Sequence, residues 1–247
     1  MTAKVIYGKA LIIFLMLFMH AFARAQTDIK ASEMEAKITR YEVKKDYQEK
    51  FQKAVSEYVL KSISNDGNIM AEAYFEKENQ QVIWLFERWK NQKEADKFKN
   101  NAAAKTLQAF GKTALVKPSK TIAVKDLEPI SKEEWRRTSK TADDQLTIML
   151  FVDAKAGTEE NFKDVYHIAM PHFRSEPGVV TYQLSQLNAD KTQFVTFEKF
   201  RSKEAFQYHL NFPPIQPVID YLNTSIKKQP FQDGIHTLIE FAPLIRE

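Results

Sequence analysis

Between residues 146 and 152 the run Leu-Thr-Ile-Met-Leu-Phe-Val is apolar and rich in β-formers, which predicts a strand. Beyond Gly157, Thr158 is placed to cap a helix, and Glu159 and Glu160 fall where the positive end of the helix dipole favours acids. Phe162, Val165, Tyr166, Ala169, Met170 and Phe173 then recur at helical spacing as one apolar stripe, which Pro177-Gly178 stops. Residues 179–184 and 193–200 read as two strands about a turn at Asn188-Ala189-Asp190. A second helix starts at Lys203, breaks near Pro213-Pro214 and resumes through Val218, Ile219 and Leu222; a last strand covers 237–241. The first half follows the same order, with elements at 38–43, 46–62, 68–75, 81–89, 92–110 and about 120–127.

The two halves repeat one another. Gly67 opens GNIMAEAYFEKENQQVIWLFERW and Gly178 opens GVVTYQLSQLNADKTQFVTFEKF, an offset of 111 residues. The tetrads Phe86-Glu87-Arg88-Trp89 and Phe197-Glu198-Lys199-Phe200 keep that offset, as do the helical stripes upstream. Downstream, Lys93-Glu94-Ala95 matches Lys203-Glu204-Ala205 at 110, which implies a one-residue slip and sets Lys99 opposite His209.

Each half is therefore βαββαβ, a ferredoxin-like unit of the α+β class with helices on one sheet face. Val195 and Phe197 point one way and Phe194 and Phe200 the other, so that strand is buried on both faces. Two such sheets in one chain can bury their free faces against each other and close a shared barrel. One chain then suffices as a monomer, with further association open. The polar stretch 126–145 is the crossover linker, with Trp135 expected on the surface of one half.

The N-terminus is different in kind. Lys4 and Lys9 precede an apolar run of about ten residues, 10–19, and Ala23-Arg24-Ala25 precedes Gln26. This pattern predicts a cleaved secretory signal and a periplasmic or secreted protein; the run is shorter than the roughly 20 residues that span a bilayer. The domain plan is signal 1–25, first repeat 26–127, linker 128–144 and second repeat 145–247. The formal charge of +4 shrinks once the signal is removed, leaving 33 basic and 32 acidic side chains, so composition gives no support to a nucleic-acid partner. Residues 26–140 carry 23 basic and 18 acidic groups, and 141–247 carry 10 and 14. With no Cys, disulfides, thiolate metal sites and Cys nucleophiles are excluded.

The second half resembles the antibiotic biosynthesis monooxygenase family of dimeric α/β barrels. The resemblance rests on Glu176-Pro177-Gly178 after the first helix, the strand Val179-Val180-Thr181-Tyr182, Phe197-Glu198-Lys199-Phe200, then Ser202-Lys203-Glu204-Ala205 and His209-Leu210 on the second helix. It covers about 100 residues in 145–243 and, more faintly, 37–127. The family often adds a second His in a Ser-Pro-His turn, where this chain has Asn211-Phe212-Pro213-Pro214. The first repeat, 26–127, has no His and no Glu-Pro before Gly67.

The resemblance implies oxidation of an electron-rich aromatic or quinol-like molecule by O₂ with no cofactor. No Gly-rich dinucleotide loop, P-loop or zincin motif occurs in the sequence. It places the site in the second repeat, with His209 as the group that accepts or relays a proton, Tyr182 and Phe197 as walls, and Phe173 and His167 as further pocket candidates. His172 and His236 read as surface and turn residues. Two other readings stay open: a non-catalytic exported binding module, and a heme-binding or heme-degrading relative with His209 as axial ligand.

Overall fold

The computed structural model describes residues 34–247; the segment read as a signal lies outside them. The first repeat comprises β1 (Glu35–Glu42), α1 (Gln48–Ile63), β2 (Asn68–Glu76), β3 (Val82–Trp89), α2 (Gln92–Phe98), α3 (Ala102–Ala114) and β4 (Lys120–Leu127). A one-turn helix, α4 (Lys132–Trp135), lies in the linker. The second repeat comprises β5 (Leu146–Asp153), α5 (Glu159–Ser175), β6 (Val179–Leu187), β7 (Gln193–Phe200), α6 (Lys203–Leu210), α7 (Gln216–Thr224) and β8 (Ile235–Ala242). The single helix expected over 92–110 is two, because the Asn101 side chain accepts from the Ala103 amide and caps a new helix there.

The eight strands close one antiparallel barrel in the order β1-β3-β2-β8-β5-β7-β6-β4. The repeats are joined at two seams, β2 with β8 and β4 with β6. This is the intramolecular dimeric α/β barrel that the repeat implied, and closure leaves no sheet edge open.

Strand alternation builds three cores. Ala36, Ile38, Tyr74, Trp84, Phe86, Met149, Val195 and Phe197 fill the barrel interior. Leu85, Trp89, Phe51, Val55 and Phe98 form the layer between the first sheet and its helices. Phe194, Phe200, Phe162, Tyr166 and Phe173 form the equivalent layer in the second half. In each tetrad the first aromatic and the basic residue point into the barrel, while the Glu and the last aromatic point toward the helices. Inside, Arg88 makes a two-pronged pair with Asp126 at 2.9 and 3.1 Å, and Lys199 meets Glu72 at 2.7 Å.

Trp135 is not on the surface. It is 1% exposed and plugs one end of the barrel, with the Arg88 guanidinium 4.4 Å from its ring centre. The plug is held by a capping box between Ser131 and Glu134 and by Arg136, which donates to the carbonyls of Ile63, Asn68 and Ile69.

Packing also corrects the alignment of the repeats. Lys90 N–H donates to the Gly67 carbonyl and Arg201 N–H to that of Gly178. Asn91 caps α2 and Ser202 caps α6. A Cβ on Gly67 would meet Glu94, and one on Gly178 would lie 2.3 Å from the Ala205 Cβ. Each of these pairs keeps the offset of 111, so the slip to 110 is absent from the fold. The counterpart of His209 is Phe98, not Lys99.

Candidate functional site

The site expected in the second repeat is filled. His209 is 2% exposed. Its ring is walled by Phe173, Tyr182 and Phe200 at centroid distances of 4.7, 5.3 and 5.3 Å. Its Nδ1 lies 2.8 Å from Glu176 Oε1. It occupies the core position that Phe98 holds in the first repeat, and this enclosure is the wrong geometry for an axial ligand. Tyr182 and Phe173 do share its surroundings. Phe197 does not: it lies across the sheet, inside the barrel, against Phe86 at 4.8 Å. His167 is exposed on α5 and pairs with Glu128 at 2.5 Å. His172 is exposed, and His236 binds Glu76 at 3.1 Å beside Trp84.

His167 lines a pocket of about 360 Å³ with Tyr166 and Met170, away from His209; a larger opening lies in the other repeat. A cleft of about 660 Å³ opens between α3 and the outer face of β1 and β4, within the size range of small-molecule sites. Ala104, Leu107, Gly111 and Leu115 line its helical wall; Thr39, Tyr41 and Thr121 line its sheet wall. Glu87 and Tyr58 lie at its floor. At the 111 offset, Thr39 corresponds to Leu150, Ala104 to Ile215, Gln108 to Ile219 and Gly111 to Leu222. Leu150, Ile215 and Leu222 are buried core residues. The first repeat is open because the side chains that close the second are small or polar there.

The cleft floor carries charge. Glu87, 2% exposed, accepts the Tyr58 hydroxyl at 2.6 Å and the Trp89 indole N–H at 3.1 Å on Oε1. Its Oε2 lies 3.2 Å from Lys37 Nζ. Burial, with the Glu87 charge adding to it, pushes the Tyr58 and Tyr41 phenols well above the usual tyrosine range. Both phenols stay protonated at neutral pH, and Tyr58 donates its hydrogen to Glu87. Glu198, the counterpart of Glu87, takes the Tyr182 hydroxyl at 3.1 Å and that of Thr196 at 2.6 Å, and burial raises its carboxyl despite the pull of His209. Only the first repeat puts its acid at the foot of an open cleft.

The family profile described as "Antibiotic biosynthesis monooxygenase" matches residues 34–109 and 145–219, together more than half of the chain. The chain belongs to the antibiotic biosynthesis monooxygenase family. Among solved structures, a protein of Lactobacillus acidophilus NCFM with a provisional monooxygenase assignment is similar in fold. It superposes with a TM-score of 0.70 at 16% identity, over 84% of this chain and 94% of that one. One from Fusobacterium nucleatum subsp. nucleatum, with the same provisional assignment, gives 0.73 at 14%, over 84% and 92%. The uncharacterized protein sll1783 of Synechocystis sp. is 26% identical over 91 residues, which is 37% of this chain. The match spans 57% of that relative's length.

As a member of this family the chain departs from expectation in where its room lies. Sequence reasoning quoted Glu87 within the tetrad but gave it no role. The signal that could have found it is an acid on the same strand face as Leu85 and Trp89, both of which pack under the helices. Among the described residues no cluster of three metal-ligating side chains occurs, and no helix is long and apolar enough to cross a membrane.

Proposed function

We propose that the chain is a monooxygenase that works in the first-repeat cleft, oxidising a planar, hydroxyl-bearing aromatic molecule of the quinol or polyphenol type with O₂. The observation that carries the reading is the Glu87 carboxylate at the foot of a 660 Å³ cleft whose counterpart is filled. A phenol entering between Tyr41 and Leu107 brings its hydroxyl toward Glu87, which accepts the proton. Tyr58, Trp89 and Lys37 hold the carboxylate in place. The electron-rich phenolate reduces O₂, and oxygen bonds to a ring carbon. The peroxide takes back the proton from Glu87, and its outer oxygen leaves as water together with the ring hydrogen, so that a carbonyl remains. In sum, the aromatic plus O₂ gives a quinone plus water. The substrate supplies all four electrons, so no flavin or metal is required by the balance.

The test is oxygen uptake with a panel of quinols under ¹⁸O₂. The expected result is one labelled oxygen in the quinone and one in water. The variant Ala104→Ile with Gly111→Leu should remove turnover, because it restores the bulk seen in the second repeat. The site can hold that bulk: a Cβ on Gly111 meets only a Leu115 methyl, at 3.5 Å. Replacing a helical Gly by Leu should also stabilise the fold, by up to about 1 kcal/mol. Full turnover in this variant would remove the assignment. The reading of residues 1–25 as an export signal places the reaction outside the cytoplasm. Sequencing of protein from its native host should then start at Gln26, and a start at Met1 would contradict it.

A further inference from the structure

The cleft has a charged rim that the reaction above does not use. Lys99, Lys112 and Lys117 line it in addition to Lys37. Lys37 is spent on Glu87, the one acid in the cleft wall. Lys99 pairs with Asp96 at 2.6 Å and Lys117 with Glu42 at 2.8 Å; in both pairs the lysine is more than half exposed. Exposed pairs of this kind are weak and exchange readily with solvent. Lys112 has no ion-pair partner among the described residues.

These lysines go with the opening. At the 111 offset, Lys37 corresponds to Ile148, Lys99 to Leu210, Lys112 to Asn223 and Lys117 to Lys228. Three of the four rim cations are replaced by uncharged residues in the repeat whose cleft is filled. The cavity therefore combines an aromatic and aliphatic interior, Tyr41, Tyr58, Leu107 and Leu115, with a mouth of one charge sign. An apolar slot walled in low dielectric strengthens the field of such a mouth.

Resting on the assignment of this cleft as the working site, we propose that its substrate is an anionic aromatic: a planar hydroxylated ring system bearing a carboxylate. The ring lies on the apolar walls with its hydroxyl toward Glu87, and the carboxylate remains at the mouth among Lys99, Lys112 and Lys117.

Binding of 6-hydroxy-2-naphthoate and of 2-naphthol, two fluorescent probes that differ by a carboxylate at the far end of the ring system from the hydroxyl, tests this on the full chain. At low salt the naphthoate should bind about tenfold more tightly, as expected for several individually weak exposed pairs acting together. The ratio of the two affinities should fall toward one in 0.5 M NaCl, where screening acts over only a few ångströms, and in the variant K99E/K112E/K117E. Equal affinities at low salt, or a preference that survives the triple reversal, would overturn the anionic assignment. The filled variant Ala104→Ile with Gly111→Leu separates the two levels of the account. Loss of both probes there, without any naphthoate preference in the parent protein, defeats the charge inference and leaves the cleft assignment standing. Undiminished binding of both probes defeats the cleft assignment and the charge inference with it.

Discussion

The two helix–sheet layers of this barrel start from the same plan and end with different contents. In the second, Leu150, Ile215, Val218 and Leu222 close over the sheet, and a paired His209 and Glu176 are sealed among aromatics. In the first, Thr39, Ala104 and Gly111 leave a cleft, and Glu87 lies at its floor with Tyr58. The difference teaches that a repeat can keep its recognisable residues and lose its cavity. The half that carries Glu176-Pro177-Gly178 and His209 is here packed around that histidine. The other half holds the larger cleft.

Ways to break this comparison follow from its asymmetry. The largest effect should come from Glu87→Gln, which keeps shape and removes the proton acceptor. Turnover on a quinol substrate, counted per folded molecule, should fall about 10²–10⁴-fold, the usual worth of a positioned general base. The matching change Glu198→Gln should leave turnover per folded molecule in place. If the two variants lose activity equally, the asymmetry is not functional.

Next is His209→Ala. A proton-relay role predicts lost turnover in a stable protein. Its position in the core leads to the opposite outcome. Unfolding free energy should drop by about 2–5 kcal/mol, through a cavity and through the unpaired Glu176 carboxylate left behind, while kcat of the folded fraction is retained. Denaturant melts combined with active-site titration would distinguish the two.

A smaller effect concerns alkaline pH. Burial, and after it the Glu87 charge, raises the Tyr41 and Tyr58 phenols above the ordinary tyrosine value of about 10. Above that pH the unfolded chain releases those protons while the folded one keeps them. The two phenols therefore contribute stability below pH 10 that is lost as pH rises beyond it. Tyrosinate absorbance at pH 10.5 should show these two un-ionised in the folded state. Glu87→Gln should bring both phenols down toward the ordinary value. A titration in which Tyr41 and Tyr58 ionise at the ordinary tyrosine value in the folded protein would contradict the buried geometry.

Much of the architecture was legible because it rests on periodicity. The tetrads at 86–89 and 197–200 fixed the repeat, and strands apolar on both faces required a second sheet. The error of one residue in the second helices had a local cause. Lys-Glu-Ala at 93–95 and 203–205 aligns by identity at 110, whereas the caps Asn91 and Ser202 hold the backbone at 111. That slip exchanged Phe98 for Lys99 as the partner of His209 and hid that the position is buried in both repeats. Trp135 was misplaced because a polar linker gives no sign that it crosses a barrel end. The cleft was illegible for a further reason: it consists of missing bulk. Nothing in Ala104 or Gly111 taken singly distinguishes a cavity wall from a helix surface. The filled counterpart becomes visible only when the correct register is known.

The most direct measurement is a crystal structure of the protein with 6-hydroxy-2-naphthoate bound. The account requires the ring between α3 and β1 against Tyr41 and Leu107, its hydroxyl within hydrogen-bond reach of Glu87 and its carboxylate at the lysine rim. A ring bound beside His209 in the second repeat, with the first-repeat cleft empty, would contradict it.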